Sequence, residues 1–440
     1  MIWQSAFKGK KMTIMGLGLL GRGVGDAQFL AQQGAELIVT DLKNDADLRT
    51  SLDALKDLPN ITYRLGGHDL RDFKDRDYIL KAAGVPLNSP YIAQTRKNNI
   101  PIKMSASWFA ELSGIPLVGV TGTRGKSTTT MLLYEIMKAA GMDVLLGGNV
   151  RGVSTLALLP EVKKDSIALM ELDSWQLQGF GEAGMSPNVA VFTTFLKDHM
   201  NYYKNDMGTY FADKAQIFLH QKQDDTLVVS SQVVVPHLQK YKSKIASHVV
   251  IAEPKHFPKG WTLQIPGEHN KLNAMCAIEA ARALGIDDVI IKAAVEAFKG
   301  VPGRLELVRE VKGVKVYNDT TATTPEATDA ALSTLDPGAK KNIVLIFGGA
   351  DKGLDMSELI AEIPKHCKKV ILLAGTGTEK IQQHFPDAPV FDALTYALQD
   401  AMDEAQPGDT ILFSPAFASF GMFKNEFDRG DQFDALVKAL

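Results

Sequence analysis

The apolar run Ile115-Pro-Leu-Val-Gly-Val120 leads directly into Thr121-Gly-Thr-Arg-Gly-Lys-Ser-Thr128 and a helical pattern ending near Gly141. A buried strand, a glycine-bearing loop and a helix start in that order constrain the chain to an α/β sheet carrying a phosphate site. Gly122 and Gly125 let the backbone approach an anion, and the N–H groups of Thr123 to Thr128 point toward it. Lys126 supplies positive charge at the β/γ end of a nucleotide, and Ser127 a hydroxyl for Mg²⁺. A capped glycine turn before an ordinary helix would use the same residue types. The strand–loop–helix context favours the nucleotide. A strict phosphate loop has glycine where this chain has Val120, so the loop reads as a variant ATP site.

Three α/β segments follow one another along the 440 residues, a length that accommodates two or three domains. The first opens with the strand Met12–Met15, the cluster Gly16-Leu-Gly-Leu-Leu-Gly21, a helix to about Gln33 and the strand Glu36–Thr40. The second holds the phosphate loop and apolar strands at 167–170 and 189–192, and ends at the break Gly300-Val-Pro-Gly303. The third carries strands at 342–347, 369–374 and 410–414, with a helix over 396–405 between the last two. Runs apolar on both faces predict parallel sheets. The expected domains are 1–105, 106–302 and 303–440, with clefts between them as the default site.

The net charge of -3 offers no bulk positive field for nucleic acid. Cys276 and Cys367 are too few for a disulfide framework and point to a reducing cytosol. Residues 1–10 lack the apolar core of a signal peptide, and no run of about 18 apolar residues suggests membrane insertion. A cytoplasmic protein is expected. The sequence does not give the oligomeric state and is compatible with a monomer.

Gly16, Gly18 and Gly21 after a strand, with Asp41 beyond the next one, fit a dinucleotide fingerprint. The separate ATP loop argues against NAD(P). The same backbone geometry can hold the diphosphate of a UDP group, with Asp41 or Lys43 near the base or ribose. Glu171, at the end of the strand over 167–170, is placed to meet Mg²⁺ held by Ser127. His199 and Lys214 read differently. Mg²⁺ prefers oxygen, so one histidine is an unusual ligand and a free lysine an impossible one. By residue type alone they read as a satisfied polar group and a solvated or carboxylate-paired lysine.

The arrangement nevertheless resembles the ATP-dependent Mur ligases of peptidoglycan synthesis along nearly the whole chain. The matching stretches are Gly16–Gly21 with Asp41, Ala83-Gly-Val-Pro-Leu87, Thr121–Thr128, Gly147-Gly-Asn149, Glu171, Asp198-His-Met200 and Lys214. They continue through Gly267-Glu-His-Asn270 with Asn273, Asn318-Asp319, Gly348-Gly-Ala-Asp-Lys-Gly353, Ser414-Pro-Ala-Phe-Ala-Ser419 and Phe423-Lys-Asn425. Length and the last two motifs favour the branch that adds D-glutamate to UDP-N-acetylmuramoyl-L-alanine over other Mur ligases or folylpolyglutamate synthase.

The resemblance implies three domains: a Rossmann-like UDP-binding domain, a central phosphate-loop ATPase domain and a Rossmann-like C-terminal domain. It implies an acyl-phosphate mechanism with ATP and two Mg²⁺ ions. One ion would lie near Ser127 and Glu171, the other by His199 and a carbamylated Lys214, since carbamylation turns the amine into an oxygen ligand. Lys126 would stabilise the transferred phosphoryl group. Asn270 and Asn273 would lie near adenine, and Arg304 and Asp319 near ribose and phosphates. Gly18, Leu19, Asp41, Lys43, Gly84 and Asn149 would hold the UDP-muramoyl substrate. Thr323, Lys352, Ser419 and Phe420 would hold the incoming glutamate, and domain closure would assemble the site.

Several positions depart from the family's usual pattern. Arg124 replaces an Asn, Asp173 a Ser, Asn201 an Asp, Thr321 a Lys and Leu20 a polar residue. Glu426 stands where a Phe often covers the amino acid, with Phe427 next to it. These changes touch substrate recognition more than ATP binding. They keep open a different amino acid such as L-glutamate, a different acceptor, or a non-catalytic nucleotide-binding subunit. An NAD(P) oxidoreductase would leave the second loop without purpose.

Overall fold

The computed structural model describes residues 2–18, 21–234 and 237–440. Its strands form three sheets. The first contains β1 (Lys11–Met15), β2 (Glu36–Asp41), β3 (Ile61–Leu65), β4 (Tyr78–Lys81) and β5 (Ile102–Lys103), all parallel, in the order β3-β2-β1-β4-β5. The chain leaves β1 toward β2 on one side and returns to β4 on the other. That reversal opens a crevice at the carboxyl end of β1, where the first glycine cluster lies.

The second sheet contains β6 (Leu117–Thr121), β7 (Asp143–Gly148), β8 (Ser166–Glu171), β9 (Val189–Phe192), β10 (Thr226–Ser230) and β11 (His248–Ala252), also parallel, in the order β11-β10-β9-β6-β8-β7. All five residues of β6 are buried, as a central strand covered on both faces requires. Three of the six, β6, β8 and β9, lie within two residues of the runs the sequence marks as strands; β7, β10 and β11 are not placed from the sequence.

The third sheet contains β12 (Glu306–Val311), β13 (Val314–Asn318), β14 (Ile343–Gly348), β15 (Cys367–Leu373), β16 (Val390–Phe391) and β17 (Thr410–Phe413), in the order β12-β13-β17-β14-β15-β16. It corrects the expectation of three purely parallel sheets, because β12 and β13 pair antiparallel. Only Lys312 and Gly313 join them, and both have positive φ, 50° and 78°. Such a two-residue turn suits the twist of a hairpin, and β12 is a half-exposed edge.

By packing, the chain forms two units: Met1–Thr262 with Glu268–Ala297, and Leu263–Gly267 with Phe298–Leu440. In the first, one apolar cluster runs from Trp3, Phe7 and Phe29 through Trp108 and Phe109 to Phe180 and Phe192. It therefore joins the first two sheets. The second unit has its own core, in which the Phe413 and Phe433 rings stack with centroids 4.4 Å apart, both fully buried. Phe433→Ala is expected to cost the second unit about 3–5 kcal/mol. Urea denaturation followed by a probe in that unit checks this, and an unshifted midpoint would mean the aromatic pair is dispensable.

Candidate active site

The phosphate loop connects β6 to helix α2 (Lys126–Ala139). Gly125 has φ 86°, and a Cβ there would lie 2.1 Å from Asn273 Oδ1, so only glycine fits. Asn273 belongs to the helix Glu268–Ala283; its carbonyl accepts from Thr129 Oγ1 at 3.2 Å, and its amide donates to Asn270 Oδ1 at 3.2 Å. The helix carrying Asn270 and Asn273 is thus seated directly on the loop. Thr123 Oγ1 donates to the Leu196 carbonyl at 3.2 Å, while Ser127 and Thr128 sit half-buried in the first turn of α2. Arg124 does not add its charge at the loop centre: its guanidinium donates to Asp198 Oδ2 at 2.9 Å. Its carbonyl accepts from the Thr193 and Thr194 hydroxyls at 2.6 and 3.0 Å, which braces the loop.

Two lysines meet on one carbonyl. Lys126 Nζ donates to Gly122 O at 3.0 Å and to Thr123 O at 3.2 Å. Lys214 Nζ donates to the same Gly122 O at 2.9 Å and reaches Thr121 Oγ1 at 3.5 Å. Lys214 comes from the helix Met207–Ala215 and is 1% exposed, so the reading of a solvated or carboxylate-paired lysine is overturned. Burial, and then the charge of Lys126, hold its amine far below the ordinary lysine range, against the opposing pull of Asp173, Asp198 and Glu171.

Glu171 ends β8, in register with Val120 on β6 and Gly148 on β7, and is 5% exposed. Its Oε1 accepts from Asn149 Nδ2 at 3.1 Å, and it forms no ion pair among the described residues. A buried carboxylate without a cationic partner suits a divalent ion. His199 has φ 55°, a left-handed conformation uncommon outside glycine. Its ring lies 4.6 Å from that of Trp175. Burial lowers the imidazole pKa, Asp198 opposes this, and Lys214 and Lys126 lower it further. A lowered pKa favours the neutral ring, which has a lone pair to offer. The donor chemistry fits Mg²⁺ at Ser127 and Glu171. It fits a second ion only if Lys214 becomes an oxygen ligand.

In the same unit, a cavity of about 470 Å³ is lined by Gly16, Gly18, Arg22, Asp41, Lys43 and Gly84, among others. Asp41 braces the glycine loop. Its Oδ2 accepts from the Leu17 and Gly18 N–H groups at 2.9 and 3.1 Å, and its Oδ1 from that of Lys43 at 2.9 Å. Buried Lys81 shapes the turn holding Gly84 by donating to the carbonyls of Ala82, Ala83 and Val85; burial lowers its pKa to about 8. Leu19 and Leu20 lie outside the described residues.

The second unit gathers most of the residues expected at the amino-acid end. Lys352 Nζ donates to the carbonyl and hydroxyl of Thr323, both at 3.1 Å. Ala350 and Ala418 exchange backbone hydrogen bonds, and Ala416 N–H donates to Ala322 O. The loops bearing Thr323, Lys352 and Ser419 therefore meet at one end of the third sheet. Ser419 is buried and Phe420 exposed. Asp319 accepts from Leu305 N–H and Ser414 Oγ at 3.0 and 2.8 Å, and burial raises its pKa to about 7 against those hydrogen bonds and the charge of Arg304. Arg304 itself is exposed.

Three of the unusual residues, Asp173, Thr321 and Glu426, make local hydrogen bonds. Asp173 caps the helix Ser174–Glu182 in a reciprocal capping box with Gln176, work a serine there would share. Thr321 Oγ1 donates to the Gly303 carbonyl at 2.9 Å. Asn201 is exposed. The Glu426 carbonyl accepts from Thr320 Oγ1 at 2.8 Å, and Glu426 and Phe427 open the helix Glu426–Ala439. Sequence reasoning missed Arg22, Lys81 and Arg429. Only Arg22, a cation one residue past the third glycine of the fingerprint, carried a visible signal.

Three family models match in order: "Mur ligase MurD-like, N-terminal domain" over residues 10–103, "Mur ligase middle domain" over 120–257 and "Mur ligase, glutamate ligase domain" over 303–417. UDP-N-acetylmuramoylalanine–D-glutamate ligase of Roseiflexus sp. (strain RS-1) is 39% identical, covering 98% of this chain and 99% of the relative. The enzyme of the same name from Borreliella burgdorferi (strain ZS7) is 36% identical over 98% of both chains. Among solved structures, UDP-N-acetylmuramate-alanine ligase MurC from Thermotoga maritima superposes with TM-score 0.61 at 19% identity, over 98% of this chain and 99% of its own. FolC from E. coli gives 0.59 at 18%, over 81% and 99%. The chain belongs to the Mur ligase family and is built from three Mur ligase domains.

Gly125→Ala is expected to strain the loop by about 1–3 kcal/mol and to weaken Mg²⁺–ADP binding about tenfold or more. Calorimetric titration tests it, and undiminished affinity would remove this loop as the nucleotide site. Lys214→Met removes a buried amine that the unfolded chain protonates readily. Because the folded pKa is depressed, the lysine costs stability below it, and the cost fades as pH rises toward the unfolded value. The variant should melt above wild type near about pH 6, with the difference narrowing toward about pH 10. A gap that grows with pH would show that Lys214 is charged and well paired.

Proposed function

We propose that this chain is the ATP-dependent, ADP-forming ligase that joins D-glutamate to UDP-N-acetylmuramoyl-L-alanine in cytoplasmic peptidoglycan precursor synthesis. The observation that carries the reading is the meeting of Lys126 and the buried Lys214 on the Gly122 carbonyl, beside a buried Glu171. The relatives named for this reaction, similar over nearly their whole length, support it. Among the described residues no helix is long and apolar enough to cross a membrane. Domain bounds at 1–105, 106–302 and 303–440 accompany the proposal.

A carboxylate oxygen is too poor a leaving group for an amine to displace. The L-alanyl carboxylate therefore attacks the γ-phosphorus of ATP, and ADP leaves. The D-glutamate nitrogen attacks the acyl phosphate, loses a proton, and inorganic phosphate departs from the tetrahedral intermediate. The Lys126 ammonium stabilises charge on the transferring phosphoryl oxygens. Gly122, Thr123, Gly125, Ser127 and Thr128 cradle the phosphates. Asn270 and Asn273 bind near adenine, and Arg304 and Asp319 near ribose and phosphates. Gly18, Leu19, Asp41, Lys43, Gly84 and Asn149 hold the UDP-muramoyl substrate; Thr323, Lys352, Ser419 and Phe420 hold D-glutamate.

A neutral lysine amine adds to CO₂ and releases a proton, leaving a carbamate anion. The depressed pKa of Lys214 keeps that amine available. Ser127, Glu171, His199 and the Lys214 carbamate would hold two Mg²⁺ ions, which when bound neutralise phosphoryl charge. Thr321, whose hydroxyl is spent on Gly303, favours a second reading with the same chemistry and another amino acid, such as L-glutamate.

Phosphate release from ATP is expected only with UDP-N-acetylmuramoyl-L-alanine and D-glutamate together, with Mg²⁺ and bicarbonate present. Release with another amino acid would keep the ligase chemistry and change its specificity. No release with any amino acid would sink the proposal.

A further inference from the structure

The helix α1 (Arg22–Gln32) starts at the glycine cluster and borders the cavity. Arg22 Nη1 donates to Asn149 Oδ1 at 2.5 Å, and Asn149 Nδ2 donates to Glu171 Oε1 at 3.1 Å. A side-chain amide has one acceptor end and one donor end. Turned over, Asn149 would set its oxygen against the carboxylate and its NH₂ against the guanidinium. Both neighbours therefore enforce one orientation, and Arg22 supplies the half that Glu171 cannot.

The seating is built along α1. One turn beyond Arg22, Asp26 Oδ1 accepts from Ser154 Oγ at 2.6 Å and from Ser105 Oγ at 2.7 Å. Between them, Gly25 lets Ser154 pack against the helix; a Cβ there would lie 2.7 Å from that of Ser154. The segment from Asn149 to Ser154 is thus pinned to α1 at both ends, and its first residue bonds Glu171 through backbone as well, Asn149 N–H to Glu171 O at 2.7 Å.

We propose that Arg22 is a positioning residue for Glu171: by fixing the Asn149 amide it holds the carboxylate that faces the Mg²⁺–nucleotide, and so links the cavity-side helix to the phosphate loop. This rests on the ligase reading above. A partner that orients a metal-binding carboxylate is commonly worth tenfold or more in metal affinity.

The test is calorimetric titration of full-length protein with Mg²⁺–ADP and, separately, with UDP. The proteins are wild type, Arg22→Met, Arg22→Lys, Asn149→Ala and the Arg22→Met/Asn149→Ala double variant. Arg22→Met and Asn149→Ala should each weaken Mg²⁺–ADP binding about tenfold, and the double variant no further, because both cut one chain. Arg22→Lys, which keeps a donor, should recover most of the loss even if the methionine variant folds poorly. UDP affinity should change less than Mg²⁺–ADP affinity in Arg22→Met. Additive losses, or a loss confined to UDP, would make Arg22 a ligand-binding cation and overturn the inference. If wild type binds Mg²⁺–ADP and Arg22→Met binds it equally, only this inference fails. If wild type binds no Mg²⁺–ADP, the ligase reading fails and the inference with it.

Discussion

The Gly122 carbonyl is the fixed point of the first unit. It accepts Lys126 from one helix and Lys214 from another, and two ammonium groups on one oxygen repel strongly where water is scarce. Burial of Lys214 disfavours its charged form. A neutral Lys214 relieves the repulsion and leaves Lys126 as the cation of the loop. The conformation of Gly122 is equally constrained: a Cβ there would lie 2.0 Å from Thr193 Oγ1. The close approach of β9 to the loop thus places the carbonyl where both lysines reach it.

From that point the chemistry spreads along strand register. Val120 on β6 lies opposite Glu171 on β8, which lies opposite Gly148 on β7. Parallel strands bring their carboxyl ends to one edge, so loop, carboxylate and Asn149 share that edge without sequence proximity. The cavity beside Gly18 is lined from both sheets, with Gly148 of β7 and Thr155 among its residues, and one continuous apolar cluster fixes the two sheets together.

Much of this was legible because local patterns were unambiguous. The apolar runs at 115–120, 167–170 and 342–347 read as buried strands, and the spacing of Gly122, Gly125 and Lys126 defines the loop. The antiparallel β12–β13 hairpin escaped because Lys312-Gly313 is a weak turn signal and β12 an irregular edge. Lys214 was misread from residue chemistry for a deeper reason. Its burial is set by Thr121 and Gly122, more than ninety positions away, and no local periodicity encodes that. Asp41 shows the converse: the fingerprint spacing brings it to the glycine loop, yet its oxygens are turned to the loop backbone, a geometry composition cannot convey.

Several buried charged groups among the described residues are held by neutral hydrogen-bonding groups. Asp26 rests on two serine hydroxyls and its pKa rises to about 6 through burial. Asp319 rests on Ser414 and a backbone N–H. Arg429, 1% exposed, donates to the hydroxyl and carbonyl of Thr320 and to the Phe417 carbonyl, and burial lowers its pKa to about 10. Neutral dipoles satisfy hydrogen bonds but return less than an opposite charge would against desolvation. Such groups are costly to stability, and they bind segments that apolar packing alone would leave free to slide. Arg429 ties the last helix to the Thr320 loop, next to Thr321 and Asp319. Asp26 ties α1 to the loop leading from Asn149. In both units the uncompensated charge sits one step behind the proposed ligand contacts, where fixed geometry matters more than maximal stability.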